Sequence, residues 1–261
     1  FPACRAGFTP DDADTTNNRL STTLTLDQTP NAPTNVFAIR GNQSAFVSWA
    51  AAVDNGQAIS SYTVKAVKVN AGDPGAEPQV NTPDGATLFA TVPGLKNGTL
   101  YRINVTATNI KGVSTAGVSN TFTPATTPGK PAFTGSATIG LCAVLPQGCS
   151  YKVDWSAPNN GGSPITGYVL TRNGTTVFSG NAITFTDSGM PFNTIITYRL
   201  QAVNALGNSL LSDPLSMTTP STPGAPTLLI TSVGSGSVSL AWSTPATSPI
   251  SPVPSFQLEM R

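Results

Sequence analysis

The sequence predicts an all-β fold, a tandem array of antiparallel β-sandwiches, and three observations carry that prediction. A proline-rich linker recurs at near-constant spacing. An alternating strand ending in tryptophan follows each linker. Twenty-four Gly and 23 Pro are spread through 261 residues without a three-residue period, which argues for many short strands and turns and against collagen.

The linker has the form Thr-Pro-x-x-Pro. It occurs as Thr29-Pro30-Asn31-Ala32-Pro33, Thr127-Pro128-Gly129-Lys130-Pro131 and Thr222-Pro223-Gly224-Ala225-Pro226. Pro30, Pro128 and Pro223 stand 98 and 95 residues apart, about the length of one small sandwich. Proline fixes φ and removes a backbone donor, so these segments belong outside the sheets, as stiff extended connectors. The chain is divided accordingly: residues 1–30 are the tail of an upstream sandwich, 31–125 and 126–220 are sandwiches, and 221–261 are an incomplete third.

After each linker, apolar residues recur at every second position. Ala45, Val47 and Trp49 form one such set, Tyr151, Val153 and Trp155 a second, and Val238, Leu240 and Trp242 a third. That period is the signature of a half-buried strand. A second aromatic follows each tryptophan: Tyr62, Tyr168 and Phe256. Asp54-Asn55-Gly56 and Asn159-Asn160-Gly161-Gly162 lie between and are turn formers. A later strand alternates Tyr101, Ile103, Val105 and Ala107, reaching Asn109 before Gly112; its counterpart reads Ile196, Tyr198, Leu200, Ala202, Asn204, then Gly207. No window keeps a helical apolar stripe.

These residues resemble fibronectin type III repeats. The buried Trp, the Tyr of the next strand, the corner of Leu95 and Tyr101, the NVTATN run and the proline-rich junctions carry the resemblance over nearly all of residues 31–261. Segments such as WSAPNNGGSPITGYVL are closer to bacterial or protist versions of the family than to vertebrate ones. The resemblance implies an extracellular or cell-surface, immunoglobulin-like sandwich whose core signature is Trp49, Tyr62, Leu95, Tyr101, Trp155, Tyr168 and Trp242. The second repeat departs from the pattern: Ile196 stands at the corner position, so the corner hydroxyl bond cannot form there. It also carries the extra residues LCAVLPQGC. At the two ends, STTLTLDQTP reads as a final strand, and after Trp242 and Phe256 no second sheet follows. The chain is therefore expected to be a window cut from a longer array, with ends that are not independently stable.

The chain contains three cysteines. Cys142 and Cys149 flank a Pro-Gln-Gly turn, and the extracellular class favours a disulfide between them over two free thiols or half of a metal site. Cys4 then has no partner in the chain and is expected to pair with a cysteine upstream of Phe1.

The sequence contains no histidine, which removes Ser-His-Asp and Cys-His catalysis and His-ligated zinc. Asp11, Asp12 and Asp14 offer clustered oxygen donors for calcium, but the glycine and terminal Glu of an EF-hand loop are missing, so a solvated acidic loop is the reading adopted. Asp54, Asp73, Glu77, Asp84, Asp187 and Asp213 sit singly beside turn residues. Only 10% of residues are charged and the net charge is +1, which gives no footprint for nucleic acid or anionic lipid. No apolar run approaches the roughly 20 residues of a membrane helix, so direct membrane insertion is not expected.

Four Asn-x-Ser/Thr sequons occur, at Asn42, Asn97, Asn104 and Asn173, close to the number that chance gives, and each is available for glycan in a eukaryotic secretory route. No cofactor is expected. The leading functional expectation is a non-catalytic structural or scaffold module, a rod of repeats in a surface fibre or coat. Its partners would be other protein subunits or neighbouring repeats of the same chain. Two rivals come from other classes: an accessory segment of a secreted polysaccharide-degrading enzyme, and an adhesion receptor ectodomain. Fold does not decide among them. A carbohydrate-binding role would favour a row of exposed aromatics, for which the sequence offers Phe46 and Phe178.

Overall fold

The computed structural model describes residues 27–143, 148–221, 224–244 and 258–259. The expectations placed on Cys4, on Asp11, Asp12 and Asp14, on the amino-terminal strand and on Phe256 lie outside the described residues. Among the described residues there is no helix.

Eight strands follow the first linker: β1 (Thr34–Arg40), β2 (Ser44–Ala50), β3 (Ser61–Lys68), β4 (Gln79–Asn81), β5 (Phe89–Pro93), β6 (Tyr101–Asn109), β7 (Gly112–Val113) and β8 (Gly117–Val118). Nine follow the second: β9 (Ala132–Phe133), β10 (Thr138–Ala143), β11 (Gly148–Ser156), β12 (Ile165–Arg172), β13 (Thr175–Gly180), β14 (Thr184–Met190), β15 (Ile195–Asn204), β16 (Gly207–Asn208) and β17 (Leu215–Thr218). The third linker leads into a hairpin, β18 (Leu228–Gly234) and β19 (Ser237–Trp242).

The first set forms two antiparallel sheets, ordered β1-β2-β5 and β4-β3-β6-β7, with β8 also on β6. The second repeats the plan: β10-β11-β14 with β9 on β11, and β13-β12-β15-β16 with β17 on β15. Burial alternates along β6 and β15, so Tyr101, Ile103, Val105 and Ala107 face one core and Ile196, Tyr198, Leu200 and Ala202 face the other. In both sandwiches the tryptophan meets the tyrosine of the opposite sheet. Trp49 and Tyr62 have ring centroids 5.3 Å apart, Trp155 and Tyr168 5.8 Å, and all four side chains are buried. Tilted contacts of this kind add to the apolar area each ring removes from water.

The two sandwiches differ at the corner. The Tyr101 hydroxyl accepts a hydrogen bond from the Lys96 amide at 3.3 Å and donates to the Ala76 carbonyl at 3.2 Å, above a buried Leu95. Ile196 occupies the same register in β15 and is buried without any such bond. The phenol moves two residues along the strand to Tyr198, whose hydroxyl donates to Asp187 Oδ2 at 2.8 Å.

Three expectations are corrected. Asp187 does not serve a turn: it lies in β14, its carboxylate is buried, and Arg172 Nη1 reaches both its oxygens at 2.9 Å. Phe178 is not an outward aromatic, because it pairs across β12–β13 with Leu170, a core residue, and cross-strand partners share a face. It packs on Trp155 and Phe185 instead. Trp242 departs from the core signature: it is 47% exposed, since the β18–β19 hairpin has no facing sheet among the described residues.

Candidate functional site

The candidate site is the junction through which one sandwich passes to the next. Pro124 and Pro128 supply no donors there, and the residues between them divide their bonds between the two sandwiches. The Pro124 carbonyl accepts from Gly98 N at 3.0 Å, and Ala125 N donates to the Gly41 carbonyl at 3.1 Å, both on the first sandwich. The very next residue turns to the second: Thr126 N donates to the Gly161 carbonyl at 2.8 Å, and Gly129 N to the Asn159 carbonyl at 2.8 Å. Asn204 closes the arrangement from the end of β15. Its buried amide nitrogen donates to the carbonyls of Thr126 at 2.9 Å and Asn160 at 3.0 Å.

The first linker docks in the same way on the first sandwich. Gln28 N donates to the Asn55 carbonyl and Asn31 N to the Val53 carbonyl, and Asn109 donates to the carbonyls of Gln28 at 2.9 Å and Asp54 at 3.0 Å. The threonine of each of the first two linkers lies over a glycine of positive φ: Thr29 Cγ2 over Gly112 and Thr127 Cγ2 over Gly207. These glycines adopt φ of 138° and 125°, where a side chain would be strained, and at Gly112 it would also be crowded by Thr29. The linker is thus a docked part of the sandwich that follows it.

The two sandwiches also touch directly. A Cβ on Gly162 would come within 2.5 Å of Gly98 N and 2.8 Å of the Asn97 carbonyl carbon, so the turn that the Asn159–Gly162 sequence forms is seated against the loop at Gly98. Beside this contact lies a polar cleft of about 370 Å³, lined by Gln43, Lys96, Asn97, Asn159, Asn160 and Gly162.

Elsewhere, Cys142 and Cys149 face each other across β10 and β11 and are joined by a disulfide, with Cα atoms 4.0 Å apart. The sequon residues are placed unequally. Asn42 and Asn97 meet at the junction, where Asn97 Nδ2 donates to Asn42 Oδ1 at 2.8 Å and Asn97 Oδ1 accepts from Gln43 N at 2.9 Å. Asn173 caps the β12–β13 turn, accepting from Thr197 N. Asn104 faces away from the core, but it is half-buried between Lys65 and Val118, and its Oδ1 is enclosed. The outer face of β1-β2-β5 is apolar: Phe37, Ile39, Phe46 and Phe89 are exposed, and Phe46 stacks on Phe89 at 6.0 Å.

The Arg172–Asp187–Tyr198 group is a structural element of the second core. Burial, followed by the hydrogen bond to Asp187, pushes the Tyr198 hydroxyl pKa above its ordinary value. Among the described residues no three Asp, Glu or Cys side chains gather closely enough to hold a metal ion, and no helix is long and apolar enough to cross a membrane.

Sequence reasoning singled out neither Asn109 nor Asn204 as functional, although a signal existed: each ends an alternating strand and stands three residues before a glycine. The Asp187 partnership left no such trace, because Arg172 is 15 residues away.

A profile of the fibronectin type III domain matches residues 31–123, the span that contains β1 to β8. The chain carries fibronectin type III repeats. Among its relatives, Exoglucanase B of Cellulomonas fimi is 30% identical over 84% of the chain and 20% of the exoglucanase. Fibronectin type III domain containing protein 3C1 of Mus musculus is 29% identical over 81% of the chain and 15% of the mouse protein. The crystal structure of chicken CNTN1 FN1–FN3 domains aligns with a TM-score of 0.39 at 16% identity, covering 82% of this chain and 75% of that one. The chain thus spans a fifth or less of the length of the first two relatives.

Proposed function

We propose that these fibronectin type III repeats act as a non-catalytic extracellular spacer, holding neighbouring repeats or partner proteins at a fixed distance and orientation. The observation that carries this is the hydrogen-bond relay across Ala125 and Thr126, adjacent residues that each bond to a different sandwich. A flexible tether would leave those amides to water. Domain interfaces within a chain ordinarily permit relative motion, so a linker bonded on both sides is a device that opposes it. The Cys142–Cys149 disulfide supports placement in an oxidising compartment. The absence of histidine from the sequence supports a role without imidazole-based catalysis. Small-angle scattering of the full chain tests the spacer reading. One narrow distribution of dimensions, unchanged with temperature below unfolding, is expected; a broad distribution rejects it.

A second reading draws on the similarity to an exoglucanase: the repeats would serve as an accessory segment that spaces a hydrolase from its substrate. The relay serves that role equally well. The two readings separate on the surrounding coding sequence, which the second requires to specify a polysaccharide-degrading domain.

A further inference from the structure

We infer that the cleft at the junction of the two sandwiches binds a polyhydroxylated carboxylate, the chemistry of a uronic acid, with Lys96 facing the carboxylate and Gln43, Asn159 and Asn160 facing hydroxyl oxygens. The inference rests on the fixed junction, since the cleft walls come from both sandwiches. The asparagine oxygens at the cleft are already in use. Asn97 Oδ1 accepts from Gln43 N at 2.9 Å, Asn159 Oδ1 from Gly161 N at 2.8 Å and Asn160 Oδ1 from Gly162 N at 2.9 Å.

The Asn159 and Asn160 bonds turn their amide oxygens into their own loop, and the Asn97 bond turns its oxygen onto the neighbouring turn at Gln43. The Nδ2 groups of Asn159 and Asn160 are left as donors with no hydrogen-bond partner among the described residues. Lys96 forms no ion pair among the described residues, and no carboxylate lines the cleft. The lining residues therefore offer several donors and one positive charge. A ligand rich in acceptors and carrying one negative charge complements it.

The apolar side of the cleft argues against a peptide. Leu95 is the single large apolar residue in the lining, and it is buried in the first core. Peptide recognition ordinarily adds pockets for alternate side chains or main-chain pairing at a sheet edge. The cleft volume of about 370 Å³ lies at the small end of the range for ligand clefts, about 300–1,000 Å³. Donors held on two docked loops need little further ordering, which favours binding of a small ligand.

The test is an amide NMR titration of the full chain, produced without glycosylation, using sodium glucuronate, glucose and sodium acetate at constant ionic strength. Saturable shifts at Gln43, Lys96, Asn97, Asn159 and Asn160 are expected with glucuronate, with glucose and acetate each weaker by about tenfold. Lys96→Gln should reduce glucuronate to the level of glucose, and Gln43→Ala should weaken both sugars. Absence of saturable shifts at these amides overturns the site, and unchanged glucuronate affinity in Lys96→Gln overturns the assignment of the carboxylate. Relaxation measured on the same sample separates the causes. No binding by sandwiches that tumble as one unit rejects this inference alone, whereas no binding by independently tumbling sandwiches rejects the fixed junction with it.

Discussion

Asn204 does for the second sandwich what Asn109 does for the first: each turns its side-chain nitrogen onto the carbonyl of the residue two places before a linker proline. The distance is 2.9 Å in both, to Thr126 and to Gln28. Each also holds a carbonyl of the turn that follows the tryptophan strand, Asn160 in one case and Asp54 in the other. One buried amide thereby joins the incoming linker, the end of a central strand and an exposed turn. Repetition of this geometry in two sandwiches makes the docked linker a property of the repeat.

Asn204→Ala leaves the Thr126 carbonyl without a donor and the Asn160 carbonyl with only the longer bond from Ser163 N. It should destabilise the second sandwich by about 1–3 kcal/mol, and Asn109→Ala should do the same to the first. Urea denaturation followed through the tryptophans reads both. A loss smaller than about 0.5 kcal/mol in either would remove the asparagine from the account.

Trp49 and Trp155 fill the two cores, at 5% and 2% exposure. Truncation of either to Ala should cost about 3–5 kcal/mol. Neither indole nitrogen has a hydrogen-bond partner, so replacement by Phe loses volume alone and should cost distinctly less. Equal losses for Ala and Phe would show that the indole nitrogen matters more than the packing.

The Asp187 carboxylate is buried against Arg172 and Tyr198, and removing it should be costly. Asp187→Ala is expected to destabilise the second sandwich by about 3 kcal/mol, near the lower end for a broken buried pair because Arg172 is partly exposed. Tyr198→Phe should cost about 1 kcal/mol at neutral pH. The pH dependence follows from the raised Tyr198 pKa. The fold holds the phenol proton more tightly than the unfolded chain does, so this stability is complete below about pH 10 and declines as pH rises above it. Tyr151 and Tyr168 are raised by burial and add to the same decline. Denaturation between pH 9 and pH 11 should therefore show a shallower loss in Tyr198→Phe, and identical slopes would contradict the assignment.

Much of this architecture was legible in the sequence because it depends on local period. The alternations ending at Trp49 and Trp155 showed which faces turn inward, and the Thr-Pro-x-x-Pro spacing located the linkers. Ile196 announced the missing corner bond. What stayed hidden depends on partners distant along the chain. Asp187 resembles a turn residue until Arg172 is beside it, and Phe178 looks outward until its register opposite Leu170 is known. The cleft could not be read at all, because Lys96 and Asn160 meet only when the two sandwiches do.

The disulfide closes a short loop, with six residues between Cys142 and Cys149. Its reduction should lower the stability of the second sandwich by about 2–3 kcal/mol on the loop-entropy account. The first sandwich should be unaffected. Calorimetry with and without reductant checks this, and an equal shift of both transitions would mean that the two sandwiches unfold as one unit.

The central claim is that the Ala125–Thr126 relay and the Gly98–Gly162 contact fix one sandwich against the other. Backbone ¹⁵N relaxation of the full chain tests it most directly. The amides of β1 to β8 and those of β9 to β17 should report one common tumbling time and one diffusion tensor, and Gly162→Ala should separate them, because its methyl cannot fit beside Gly98 N. Two distinct tumbling times in the unaltered chain would contradict the account, and the repeats would then be beads on a flexible tether.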